Sequence, residues 1–287
     1  MKKYIKLMRP YQYIKNILIF TPLFFTFNYD LYRIIDVFIV FLIFSILASS
    51  IYVFNDIVDK DLDAKHPKKK SRPIASGEIT SKNAYIFHLI LILISFSSSF
   101  YFNQNLFKIL LLYYFMNILY TTTLKKIPIV DVIILSIGFV LRLFAGESVI
   151  EEELSFWIII MTYLLAILIS LAKRRGDINL NNDDINTRIN IDKINIKFID
   201  LSITLMAAVT IVAYINYTVS ISIIEKFNTE NLYISTVFVL LGVLRYMQIT
   251  FVFNESDDPS KVFLSDKFTI INLIMWIISF YIIVNYL

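Results

Sequence analysis

The sequence predicts an all-α, polytopic integral membrane protein: a bundle of about nine transmembrane helices around a central cavity. Three observations predict this. Hydrophobic residues make up 57% of the 287 and charged residues 17%, with a mean hydropathy of +0.69. A soluble domain carries about 45–50% apolar and about 25% charged residues. The apolar excess lies in runs of roughly 18–22 residues, the length a helix needs to cross the hydrocarbon core. Lys and Arg are concentrated in alternate connections between those runs.

The spans follow in order. The first, residues 11–27, is the weakest because Pro22 lies inside it. The others are 36–54, 84–102, 106–122, 128–146, 155–172, 198–224, 232–253 and 268–287. With the N-terminus inside, 23 of the 27 Lys and Arg fall in inside segments. Arg33, Lys108 and Lys226 lie outside, with Glu151, Glu152 and Glu153, and Arg142 lies within a span. The asymmetry fixes a cytoplasmic N-terminus by the positive-inside rule, and the expected location is a bacterial plasma membrane. The opening MKKYIKLMRPYQYIK lacks a small-residue cleavage site and reads as a retained start. Residues 1–287 form a single transmembrane domain with long inside loops at about 55–83 and 173–197. Residues 177–195 are rich in Asn, Asp and Ile and read as a polar linker.

Composition also excludes classes of function. There is no cysteine, so no disulfide framework or thiolate metal site. His66 and His88 are the only histidines, too few for a multi-histidine metal site. No basic soluble segment exists to bind nucleic acid. The 25 Phe and 18 Tyr need no cofactor, since a membrane bundle places such residues against lipid and at its interfaces.

The main chemical signal follows the second span. Asp56, Asp59 and Asp63 are spaced i, i+3, i+7, which on a helix puts them on one face. Three adjacent carboxylates require a cation. Oxygen ligands without Cys or His suit Mg²⁺ or Ca²⁺, and Mg²⁺ commonly takes one or two carboxylates and completes its shell with water and substrate phosphates. Asn55 adds a neutral oxygen. About ten residues on come Lys68, Lys69, Lys70, Ser71 and Arg72, cations suited to phosphate oxygens. The lysines serve equally as topology anchors. Pro67 and Pro73 stiffen this loop, and Gly77 permits a tight turn.

The run NDIVDKDLDAKHPKKKSRPIASG, residues 55–77, resembles the UbiA superfamily of intramembrane transferases. In its short form it is most similar to the decaprenyl-phosphate phosphoribosyltransferase branch. Two later segments extend the likeness over most of the chain. Tyr120, Lys125 and Lys126 lead into PIVDVIILSIGFVLRLFAG, where Asp131, Gly138 and Arg142 share a helix face. An Asp and an Arg inside a span are costly unless they face a cavity, a substrate or each other. By helical rise they sit about 16 Å apart, too far to pair directly. Aromatic-acceptor members usually show a second DxxxD here; this chain has Asp131 but Leu135. The branch also carries a KR(Y/R)xE-like stretch where Lys173, Arg174, Arg175 and Asp177 stand, and an RY pattern at Arg245 and Tyr246. Asp258, Pro259 and Ser260 depart from the branch's Pro-Glu, and Asp257 and Asp258 read as a polar turn between spans.

The resemblance implies a reaction. Asp56, Asp59 and Asp63, assisted by Asn55 and Asp131, would hold Mg²⁺, with Mn²⁺ as a substitute. The substrates would be phosphoribosyl pyrophosphate and a polyprenyl phosphate, admitted from the membrane lipids, and a homo-oligomer is compatible with this. Lys68, Arg72, Tyr120, Lys125, Lys126, Arg142, Lys173, Arg174, Arg175 and Arg245 would be the substrate-binding residues. The nearest alternative is a prenyltransferase acting on an aromatic acceptor through the same metal site. A lipid or ion carrier is a third, against which the charges gather at one membrane face rather than at the midplane.

Overall fold

A computed structural model describes residues 2–27, 29–66, 69–150, 153–181, 195–254 and 265–287. Lys68, residues 182–194 of the expected linker, and Asp257, Asp258 and Pro259 therefore lie outside the described residues. Those described are helical, with no strand. The chain divides into two compact units, residues 1–154 and 155–287.

In the first unit α1 (Lys2–Met8) leads into a 3-10 helix (Pro10–Phe20) and α2 (Thr21–Thr26). Then come α3 (Leu31–Val58), α4 (Lys60–Lys65), α5 (Ser81–Phe102), α6 (Gln104–Thr122) and α7 (Val130–Glu147). Thr80 caps α5 and Asn103 caps α6, each side chain accepting a backbone N–H of the first turn. α3 is the central helix, packed against α5, α6, α7 and the 3-10 helix. Its Val37, Val40, Phe44 and Leu47 are fully buried in a core shared with Ile19, Leu106 and Ala145. The second unit holds α8 (Phe156–Asn181), α9 (Ile196–Val219), α10 (Ile221–Phe227), a 3-10 turn (Asn231–Ser235), α11 (Thr236–Phe251) and α12 (Lys267–Tyr286). Within it, Tyr214 ties three elements, its hydroxyl 2.7 Å from Ser235 Oγ and accepting from Trp276 Nε1 at 2.8 Å.

Among the described residues six helices are long and apolar enough to cross a membrane, against the nine spans expected: Leu31–Val58, Ser81–Phe102, Phe156–Ile178, Ile196–Val219, Asn231–Phe251 and Lys267–Tyr286. The other three differ for local reasons. Residues 11–27 form the 3-10 helix and a short α-helix around Pro22. α6 is diluted by Gln104, Asn105, Lys108 and Asn117, and α7 carries Asp131, Arg142 and Glu147. The expected span 198–224 is broken at Ser220, whose backbone is extended (φ −71°, ψ 138°).

The long 3-10 segment has a packing reason. Tyr13 OH lies 2.7 Å from Ser49 Oγ, and Asn16 Nδ2 donates to Ser45 Oγ at 2.9 Å. Three residues of 3-10 helix rise about 6 Å, as do four residues of α-helix. The i, i+3 row of one helix thus stays in register with the i, i+4 row of antiparallel α3. The next residue in that row, Ile19, is fully buried.

At 28 residues, α3 is about 42 Å long, against about 30 Å of hydrocarbon. Its excess length carries Asn55 and Asp56 out of the apolar run.

Candidate active site

The acidic run lies at the end of α3. The α-helix stops at Val58, and Asp59 leaves helical geometry (φ −92°, ψ 9°) before α4 begins. The bonds Asp59 N–H to Asn55 O (2.9 Å) and Asp63 N–H to Asp59 O (2.8 Å) carry the chain across the break. This divides the three carboxylates that one continuous helix would align. Asp56 and Asp63 are almost fully buried, 2% and 3% exposed. Arg72 Nη1 donates to both, 3.1 Å from Asp56 Oδ1 and 2.5 Å from Asp63 Oδ2. Arg9 Nη2 also donates to Asp56 Oδ1. Asp59 turns instead to Lys125, whose Nζ donates to its Oδ1 at 2.5 Å.

The loop bearing Arg72 is pinned by apolar residues. Ile74 and Ile79 are buried with Leu7 of α1, Val53 of α3 and Ala84 and Leu91 of α5. Ser76 N–H donates to Arg72 O at 2.8 Å and Ile79 N–H to Pro73 O at 2.9 Å, and Gly77 takes the left-handed turn at φ 81°. Lys6 Nζ and Lys3 Nζ reach over from α1 to the carbonyls of Ser71 and Glu78 (2.9 and 3.1 Å). His66 stays within the loop, its Nδ1 accepting from Lys69 N–H at 3.3 Å.

The other expected residues of this unit are placed as follows. Asn55 Oδ1 accepts from Thr121 Oγ1, which donates also to Asn117 O, so α6 fixes that amide. Tyr120 is half-buried on the last turn of α6, and Lys126 is exposed beyond it. Asp131 is buried in the first turn of α7, its Oδ1 accepting from Val132 N–H at 2.9 Å. Just before it, Ile129 holds φ 69°, strained for a β-branched residue. Arg142 is buried deeper. It donates to Asn16 Oδ1 (2.8 Å), Gly138 O (2.6 Å) and Tyr113 OH (2.9 Å). The rings of Phe44, Tyr113 and Phe139 lie 5.1–5.2 Å away. Among the described residues no carboxylate pairs with it.

Two residues of this site escaped the sequence reading, Arg9 and Thr121. By sequence Arg9 is one of the inside cations that obey the positive-inside rule. Its available signal was its place directly before Pro10 at an inside end.

The donor set fits a hard divalent cation. Two buried carboxylate oxygens from different residues converge on one cationic nitrogen, with no sulfur or imidazole ligand beside them. Among the described residues no group of three His, Cys, Asp or Glu side chains gathers closely enough to hold a metal. Mg²⁺ needs no third carboxylate, because water and substrate phosphates complete its octahedron.

A family model described as "UbiA prenyltransferase family" matches residues 18–278. The chain belongs to the UbiA prenyltransferase family. It is similar to the decaprenyl-phosphate phosphoribosyltransferase of Corynebacterium glutamicum, 28% identical over 279 residues, covering 95% of this chain and 84% of that one. With the protein of the same name from Mycolicibacterium smegmatis it is 32% identical over 181 residues, 61% of this chain and 57% of that one. Its fold is that of a UbiA homolog from Archaeoglobus fulgidus, solved bound to GPP and Mg²⁺, with a TM-score of 0.73, 18% identity and 99% coverage of both chains.

The remaining cations of this UbiA family member lie in the second unit. Arg175 is buried and donates to Asp200 Oδ1 (2.8 Å), Thr250 O (2.9 Å) and Asn254 Oδ1 (2.6 Å). Arg174 pairs with Asp177 at 3.5 Å along α8, and Lys173 is half-buried beside it. Arg245 grips Asp266 with two donors (2.7 and 3.2 Å) and Gln248 with a third (2.7 Å). Asp266 also caps α12 through Thr269 N–H at 2.9 Å. Its hydrogen bonds from Arg245 hold this carboxyl well below the usual range.

Proposed function

We propose that this chain transfers the 5-phosphoribosyl group of phosphoribosyl pyrophosphate to the phosphate of a polyprenyl phosphate, with release of diphosphate. The observation that carries the reading is the convergence of buried Asp56 and Asp63 on a single guanidinium nitrogen of Arg72. Acids for a divalent cation and a base for phosphate oxygens thus occupy one place. The single acid at Asp131, with Leu135 four residues on, supports a phosphoribosyl rather than a prenyl donor. So does the likeness to the corynebacterial and mycobacterial decaprenyl-phosphate phosphoribosyltransferases.

In this reading Asp56 and Asp63 hold Mg²⁺, and Mn²⁺ can replace it. The bound ion supplies charge neutralisation to the departing diphosphate. Arg72 binds diphosphate oxygens with its planar fork. Asn55, fixed by Thr121, and Asp131 line the donor. Lys125, held by Asp59, offers a second cation for the sugar phosphate. The bond from ribose C1 to the diphosphate oxygen breaks, its electron pair leaving with diphosphate. An oxygen of the lipid phosphate forms the new bond to C1. That nucleophile is already anionic, so no protein base is required. Catalysis rests on positioning and charge stabilisation. The site faces the cytoplasm, where the donor is soluble, and residues 1–287 act as one transferase domain.

The test uses purified protein, Mg²⁺, polyprenyl phosphate and phosphoribosyl pyrophosphate labelled in the ribose. Label should enter the lipid phase with the native chain and not with Asp56→Asn. No lipid label from the native chain, together with transfer from a labelled prenyl diphosphate to an aromatic acceptor, would establish the prenyltransferase alternative.

A further inference from the structure

We infer that Arg9 is an exchanging counter-ion: it neutralises Asp56 when no divalent cation is bound and turns to a phosphate of the donor when the cation takes that carboxylate. This rests on the metal–diphosphate reading above.

Several observations support it. Asp56 is buried and accepts from Arg9 and Arg72 on the same oxygen. Arg72 also spans to Asp63, whereas among the described residues Arg9 meets this one carboxylate only. Two acids and two guanidiniums therefore form a neutral, largely buried set. An uncompensated charge in such a place is expensive. A divalent cation added to this set leaves two positive charges in excess. Arg9 must then give up Asp56 or find another anion, and the donor's phosphates bring one.

The backbone suits such an exchange. Arg9 takes a left-handed conformation (φ 55°, ψ 59°) immediately before Pro10. That is an uncommon conformation for a residue other than glycine. The turn separates α1 from the 3-10 helix, and the arginine leaves it with its guanidinium 5.5 Å from the Tyr52 ring. The aromatic face stabilises the cation without fixing its hydrogen-bond partner.

Arg9 and the metal then compete for Asp56, while Arg9 and the donor phosphate cooperate. Removing the arginine should move two affinities in opposite directions. The test measures binding of Mg²⁺ alone, and of inorganic pyrophosphate at saturating Mg²⁺, to full-length protein by calorimetry, with no sugar or lipid substrate. Arg9→Gln should bind Mg²⁺ about 5-fold more tightly than the native chain and pyrophosphate about 5-fold more weakly, the lower end of ordinary coupling. A purely structural arginine would weaken both or change neither. Should Arg9→Gln fail to fold, Arg9→Lys serves, since it keeps a cation on Asp56 and should fall between the two. Mg²⁺ binding to either variant that is no tighter than to the native chain overturns the inference. Pyrophosphate is common to phosphoribosyl and prenyl donors, so this result is independent of which donor the enzyme uses. Absence of Mg²⁺ binding to the native chain would instead remove the metal reading itself.

Discussion

Gly146→Ala is the perturbation whose size the structure fixes most directly. A Cβ at this α7 position would lie 1.9 Å from the carbonyl oxygen of Ile19, 2.9 Å from its carbon and 3.2 Å from its Cα. Non-bonded heavy atoms settle at about 3.5–4.0 Å. The 3-10 helix and α7 would therefore have to part by about 1.6 Å, because backbone atoms cannot rotate aside. The hydrogen bond from Arg142 Nε to Asn16 Oδ1, 2.8 Å long, crosses the same interface and would be lost. Overpacking costs about 1–3 kcal/mol. Loss of a hydrogen bond to a charged group adds about 1.5–3 kcal/mol. The total is about 2.5–6 kcal/mol. At about 2–4 °C per kcal/mol, the melting temperature should fall by about 5 °C or more. Far-UV circular dichroism in detergent reads it; tryptophan fluorescence would not, since Trp157 and Trp276 both belong to the second unit. Gly77→Ala is the control. Nothing lies within 4 Å of its Cβ position, so only the positive φ is penalised, by about 1–2 kcal/mol. A Gly146→Ala protein that melts within 2 °C of the native chain, or above Gly77→Ala, would refute the close approach.

The three aspartates should separate by activity. Asp56→Asn and Asp63→Asn should each lower kcat by about 10²–10³-fold, as for loss of one preorganised electrostatic group, and Asp59→Asn by less than about 10-fold. An equal loss at Asp59 in the lipid-labelling assay would mean that the three act as one cluster. Arg142→Lys should destabilise the first unit by about 2 kcal/mol, because a single ammonium cannot reproduce the three-way fork to Asn16, Gly138 and Tyr113. A native-like melting curve for that variant would contradict the structural assignment. Asp266 gives a pH dependence in the second unit. Its folded carboxyl titrates below the unfolded value of about 3.9, so its stabilising effect is present above that pH and is lost as pH falls toward the folded value. The stability advantage of the native chain over Asp266→Asn should hold constant above about pH 5 and narrow below about pH 4. An advantage that grew on acidification would reverse the sign.

Much of this protein is decided by local sequence. Its membrane class follows from composition and run length, since about 20 apolar residues meet lipid however they are later packed. The acid-then-base order of residues 55–77 marks the site because those residues are close along the chain. Local pattern also explains the span count: Pro22, Asp131 and Arg142 were visible as exceptions within apolar runs. What only the tertiary structure decided are the partnerships. Asp56, Asp59 and Asp63 look equivalent by spacing, yet the break at Asp59 sends one to Lys125 and leaves two on Arg72. Arg9 lies 47 residues from Asp56, and Thr121 lies 66 from Asn55. Sequence separation carries no distance, and these contacts exist only once α3 meets α6 and the turn before the 3-10 helix. The same holds for Arg142, whose charge is legible in the chain but whose neutral partners, Asn16 and Tyr113, lie 126 and 29 residues away and are brought to it only by helix packing.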